Sequence, residues 1–130
     1  MKHPHALVLT QVYSNFVAGH FDQMLELCAP QVTFQLAGKS PLAGKYTRET
    51  FAKDYASKLK PLTAGSYHFD IHDILASDLH ATVLATIKVT AQGKNHEFRT
   101  VHVWRFENGK PLAGYEYARD LYAFDAAFGA

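Results

Sequence analysis

The chain has 130 residues, of which 48% are apolar and 19% charged, with 13 Lys and Arg against 12 Asp and Glu. That balance excludes a disordered chain, and the scattered basic residues give nucleic acid no stripe to bind. The length predicts one domain, residues 1–130, with enough chain to bury a continuous core.

From Ala6 to Ala18, Leu9, Val12, Tyr13 and Phe16 recur at a helical period, and Gly19 follows where a left-handed cap would fall. Asp22 can cap a shorter helix carrying Met24, Leu25, Leu27 and Cys28, ended by Pro30. Cys28 is the only cysteine, which leaves no intramolecular disulfide and no cysteine-based metal site. The N-terminus lacks the apolar core of a signal peptide and no run approaches the roughly 18 apolar residues of a span, so a cytoplasmic chain off the membrane is expected.

Gln31 to Leu36 alternates as a short strand, followed by a loop marked by Gly38, Pro41 and Gly44. Thr47 caps a third helix with Phe51, Tyr55 and Leu59 four apart and Pro61 just beyond its end. After Pro61 the pattern becomes strand: Tyr67–Leu75, Ala81–Thr90, His96–Phe106 and Leu112–Leu121, joined by short turns. Long strands with short connections predict an antiparallel meander, and early helices followed by late strands predict an α+β fold with helices on a curved sheet. The tail, from Tyr122, could cover the open end of the sheet or meet a second subunit.

The last two strands carry the residues that look like chemistry. Asn108-Gly109 is a strong hairpin signal, because both residues tolerate positive φ. His102 shares a face with Phe98, Trp104 and Phe106, and Glu116 lies on the partner strand. Counting out from the turn pairs Glu107 with Lys110 and sets His102 opposite Tyr115, with Glu116 about one position away unless a bulge near Pro111 intervenes. An imidazole beside a carboxylate can share acid and base roles on a substrate with an acidic C–H. The plainer reading is a hydrogen-bonded structural pair. His68, Asp70 and His72 share a strand face, but no residue supplies a third ligand and no metal is expected. Tyr13, Tyr55, Tyr115 and Tyr117 could donate hydrogen bonds to a ligand. Arg119, Asp120 and Asp125 could form a rim salt bridge. A P-loop, nucleophile elbow and dinucleotide fingerprint are all missing.

Four phrases in order, FVAGHFDQMLEL, SPLAGKYT, HDILASD and VHVWRFENGKPLAGYEY, resemble the SnoaL-like polyketide cyclases of the nuclear-transport-factor-2-like (NTF2-like) superfamily across nearly the whole chain. The resemblance implies an NTF2-like cone, with three N-terminal helices packed on a strongly curved antiparallel sheet around a mostly apolar pocket, commonly in a homodimer. In the cyclases a strand histidine and an aspartate fourteen residues on serve an aldol-type ring closure. Those positions match His102 and Glu116, the acid being one methylene longer. Ketosteroid isomerases match less well, because their base would fall in Phe34-Gln35-Leu36-Ala37. Epoxide hydrolases of the limonene type need an Asp-Arg-Asp set, and Arg99-Thr100-Val101 lacks the expected carboxylate beside the arginine.

The resulting expectation is a cofactor-independent cyclase or isomerase acting on a small apolar molecule, with Glu116 as general base and His102 as hydrogen-bond donor or acid. Phe34, Phe98, Trp104, Tyr13, Phe16 and Tyr55 are the expected ligand contacts. The alternative is a non-catalytic binding or dimerisation module.

Overall fold

The computed structural model describes residues 2–130. Its elements run α1 (Pro4–Val17), α2 (Phe21–Glu26), β1 (Thr33–Leu36), β2 (Gly44–Thr47), α3 (Arg48–Thr50), a π-helical turn (Phe51–Tyr55), α4 (Ala56–Leu62), β3 (Tyr67–Ala76), β4 (His80–Ala91), β5 (Lys94–Glu107), β6 (Lys110–Ala118) and α5 (Leu121–Ala127). The fold is α+β, helices packed on one curled and mostly antiparallel six-stranded sheet of order β2-β1-β6-β5-β4-β3.

Local chemistry explains most boundaries. Helix α1 begins two residues before the apolar period because Pro4 occupies its first turn and the His3 ring accepts from the His5 N–H. Leu9, Val12 and Tyr13 turn inward from it. Asp22 sits in the first turn of α2 without capping it; His20 holds the cap position and makes no side-chain cap bond. The Arg48 guanidinium instead secures the far end of α2, donating to the Cys28, Ala29 and Pro30 carbonyls. Thr47 caps the third helical segment in a reciprocal pair with Thr50. Pro61, expected beyond that segment, lies in its last turn; the helix ends at Leu62, where the Thr63 hydroxyl takes the Leu59 carbonyl.

Strands β3 to β6 form the expected meander, and Asn108 and Gly109 carry the positive φ that their tight turn needs. The inner face of the sheet presents Val83, Ala85, Ile87 and Val89 from β4 and Trp104 and Phe106 from β5 to the helices. Two pairings carry no local sequence signal. Strand β2 closes on β1, and β1 runs parallel to β6, so that Phe34, Gln35 and Leu36 lie beside Gly114, Tyr115 and Glu116.

The tail forms α5, a fourth helical region beyond the three expected, and seals the core with Phe124, Ala127 and Phe128. Its acids cap backbone and do not form the expected rim salt bridge. Asp120 accepts from the Ala123 N–H, and Asp125 accepts from the N–H groups of Lys39 and Ser40. No helix among the described residues is long and apolar enough to cross a membrane.

Candidate active site

A β-bulge brings the two chemical residues together. Phe106 pairs with Pro111 and Glu107 with Lys110, as counted from the turn, but Arg105 then pairs with Ala113, so Leu112 is the extra residue. The shift of one moves His102 from its expected place opposite Tyr115 to a position directly opposite Glu116. Both side chains therefore stand on the inner face, and His102 Nε2 lies 2.6 Å from Glu116 Oε2.

The pair is held from behind. Trp104 Nε1–H donates to the Tyr13 hydroxyl oxygen at 2.9 Å, and Tyr13 Oη lies 2.6 Å from His102 Nδ1. An indole N–H can only donate, so the Tyr13 oxygen accepts from Trp104 and directs its own proton to Nδ1. That leaves the imidazole proton on Nε2, pointed at Glu116. Burial, the largest influence, holds the Tyr13 phenol well above its usual range near 10; Trp104 pulls the other way and Glu116 adds to the rise. The phenol is therefore a stable proton donor to His102. Phe69 and Tyr13 stack against the imidazole at ring-centroid distances of 5.0 and 5.8 Å and limit its rotation.

Glu116 is 10% exposed and His102 16%. Glu116 stands between an interior cavity and a surface depression lined by Gln35, Leu36, Ala37, Lys45 and Tyr117. Its second oxygen, Oε1, has no hydrogen-bond partner among the described residues, although every fully buried side-chain polar atom there has one. Oε1 accordingly opens onto free space. The cavity measures about 60 Å³, several times the roughly 10–15 Å³ that one water requires.

Of the expected ligand contacts, Tyr13, Phe16, Phe34, Tyr55 and Trp104 line this cavity with His102 and Glu116. Phe98 does not. It lies further along β5, edge-on to Phe124 at 5.2 Å and stacked on His96 at 5.5 Å. Its face of the strand is right, but the tail, folded as α5, covers that end of the sheet. Sequence reasoning missed Phe51, Tyr67 and Gly114. The inward alternation of Tyr67 with Phe69 could have found the second of these. Gly114 lies between Phe34 and Trp104 on neighbouring strands, and their rings meet edge to face at 6.0 Å over the position its side chain would fill.

The other candidate groups are dispersed. In β3 His72 falls at a bulge and its Nε2 contacts the Thr86 hydroxyl, while Asp70 faces Lys88 at 3.3 Å. No group of three or more His, Cys, Asp or Glu among the described residues is arranged to hold a metal ion. Cys28 is buried, and burial pushes its thiol up to about 11. Tyr117 is half exposed on the outer sheet face.

A curled sheet closed by helices is the architecture of the NTF2-like proteins. A family model described as the SnoaL-like domain matches residues 9–111, and the chain belongs to that family. Solved structures of the same fold include Bal32a from a soil-derived mobile gene cassette, at 22% identity and a TM-score of 0.87 over 96% of each chain. Another is an NTF2-like protein of unknown function from Burkholderia pseudomallei, at 21% identity and a TM-score of 0.87 over 99% of this chain and 100% of that one. More distant is IdmH from Streptomyces antibioticus, a candidate polyketide cyclase, at 14% identity and a TM-score of 0.75 over 93% of this chain and 97% of that one. No protein of curated function matches the chain.

Proposed function

We propose that the protein is a cofactor-independent enzyme of cyclase or isomerase type, acting on a small apolar ketone in the cavity. The observation that carries this reading is the free oxygen of Glu116, in a carboxylate whose other oxygen is held by His102. Glu116 Oε1 takes a proton from carbon beside a carbonyl. The C–H electron pair moves into the carbon–carbon bond and the carbonyl pair onto oxygen, giving an enolate. That enolate is reprotonated at another carbon, or adds to a second carbonyl in the same molecule, and Glu116 returns the proton. IdmH, described as a candidate polyketide cyclase, lends the ring-closing version support.

Both imidazole nitrogens are already engaged, so the expected role of His102 narrows from acid or donor toward the substrate to a positioning residue acting through Glu116. The test is turnover across a panel of aryl ketones and diketones. Glu116→Gln is expected to abolish it. His102→Ala is expected to lower kcat more than KM, and His102→Gln, which keeps an N–H for Glu116, to restore part of the loss. Full turnover in Glu116→Gln refutes the assignment.

A second reading, a binding module without catalysis, draws on the same completeness of pairing: a closed Trp–Tyr–His–Glu chain also describes a structural core network. Ligand retention without turnover would select it. The family resemblance and an apolar outer sheet face also support assembly as a homodimer. That face carries the cross-strand rows Leu84-Val101-Tyr117 and Leu75-Thr82-Val103-Tyr115.

A further inference from the structure

The cavity wall carries two tyrosines whose hydroxyls meet each other and no other described group. Tyr55 closes the π-helical turn and is 5% exposed; Tyr67 opens β3 on its inner face. Both rings flank Phe16, with centroids 6.3 and 5.8 Å from it, and both line the cavity that Glu116 enters. The other two buried tyrosine hydroxyls are occupied, Tyr13 by His102 and Trp104, Tyr46 by the Leu42 carbonyl at 2.8 Å. The Tyr55 and Tyr67 hydroxyls are neighbours that interact with each other, and neither makes a hydrogen bond to any other described residue. Since no fully buried side-chain oxygen there is left unpartnered, both hydroxyls open on the cavity space. A buried tyrosine normally finds a partner for its O–H. Here each hydroxyl has only the other beside it, and the pair shares one face of the site.

The π-helical turn builds this arrangement. It sets Phe51 and Tyr55 face to face at 4.6 Å and 9° and turns both toward the cavity. Single turns of this kind are often found at functional sites. Burial chiefly, with the Glu116 charge, holds both phenols well above their usual range; the contact between the two hydroxyls adds to the rise at Tyr67 and works against it at Tyr55. Both therefore stay protonated donors through the neutral range.

Two neighbouring hydroxyls in an apolar wall, free to turn from each other to a ligand, match one oxygen with two lone pairs. We infer that Tyr55 and Tyr67 form an oxygen-binding subsite that receives the substrate carbonyl and holds its enolate oxygen while Glu116 takes the adjacent proton. The inference rests on the acid/base reading above and specifies its substrate class, a ring-sized apolar ketone. No further reactant is needed, because the electron pair released from carbon stays on the ketone and the proton stays on Glu116.

The test is equilibrium binding of 2-tetralone and of its hydrocarbon counterpart tetralin to the full chain, measured by ligand-observed NMR. The native protein should favour the ketone by about 25-fold, two hydrogen bonds of about fivefold each. Tyr55→Phe and Tyr67→Phe should each lower ketone affinity about fivefold, the value of one hydrogen bond, and leave tetralin within twofold. The double variant should show no preference, with an unchanged thermal midpoint or circular dichroism confirming the fold. Equal loss of both ligands, a ketone preference that survives both substitutions, or no binding of 2-tetralone overturns the subsite. Binding requires no proton transfer, so Glu116→Gln must keep the preference. A chain that binds the ketone through these tyrosines yet never moves its protons refutes the catalytic reading and leaves the subsite standing.

Discussion

Tyr13 uses its hydroxyl twice, accepting from Trp104 and donating to His102, and so sets which imidazole nitrogen carries the proton. Tyr13→Phe removes both bonds and leaves the Trp104 N–H buried and unpaired. It should cost about 1–3 kcal/mol of stability in denaturant unfolding and lower kcat roughly tenfold, about 1.4 kcal/mol of barrier, with KM nearly unchanged. A purely structural Tyr13 would lose stability without the kcat-selective effect. Little of this was legible beforehand. Tyr13 and His102 are 89 residues apart, and a helical apolar period marks a tyrosine as inward-facing without showing what its oxygen meets. Nor can spacing show that both nitrogens of a strand histidine are engaged, which is why the role expected of His102 was broader than the geometry supports.

At the scale of elements, the site depends on the β5–β6 hairpin being one residue out of simple register. The turn at Asn108-Gly109, the inward face of β5 and the closeness of His102 to Glu116 could all be read from alternation and turn chemistry. The bulge at Leu112 could not, because its placement depends on how Pro111 packs in the core, where it is fully buried. The parallel β1–β6 pairing was hidden for a related reason: contacts between distant segments leave no local period. Gly114 joins these elements. A Cβ there would lie 2.8 to 3.0 Å from the Trp104 ring. Gly114→Ala should therefore displace Trp104, weaken its bond to Tyr13, and reduce both unfolding midpoint and turnover. Trp104 fluorescence reports the movement, and an unchanged spectrum with full activity would contradict it.

At the scale of the whole molecule, the inner face of the sheet is used by helices and cavity, while the outer face leaves Leu75, Leu84 and Tyr117 exposed beside Val101 and Val103. A second copy of the chain on this face would bury the rows against themselves, as a two-fold interface requires. Light scattering after size exclusion should give twice the mass computed from the 14.5 kDa chain, and Val101→Lys with Tyr117→Lys should return it to one chain. A native monomer at high concentration would remove the dimer from the account. The α+β class and helix-on-sheet layering followed from composition and periodicity. The cone and its pocket followed from the family phrases; a tail covering the open end was one of two expected roles, but its helical form was not legible, because Tyr122 to Ala130 is too short and rich in small residues to show a period.

The central claim is that Glu116 moves a proton from carbon. Hydrogen–deuterium exchange at the carbons flanking the 2-tetralone carbonyl, followed by proton NMR in D₂O, tests it most directly. The native protein should accelerate exchange above the buffer rate, and Glu116→Gln should return it to that rate while still binding the ketone. Exchange at the native rate in Glu116→Gln, or no acceleration by the native protein, would contradict the claim.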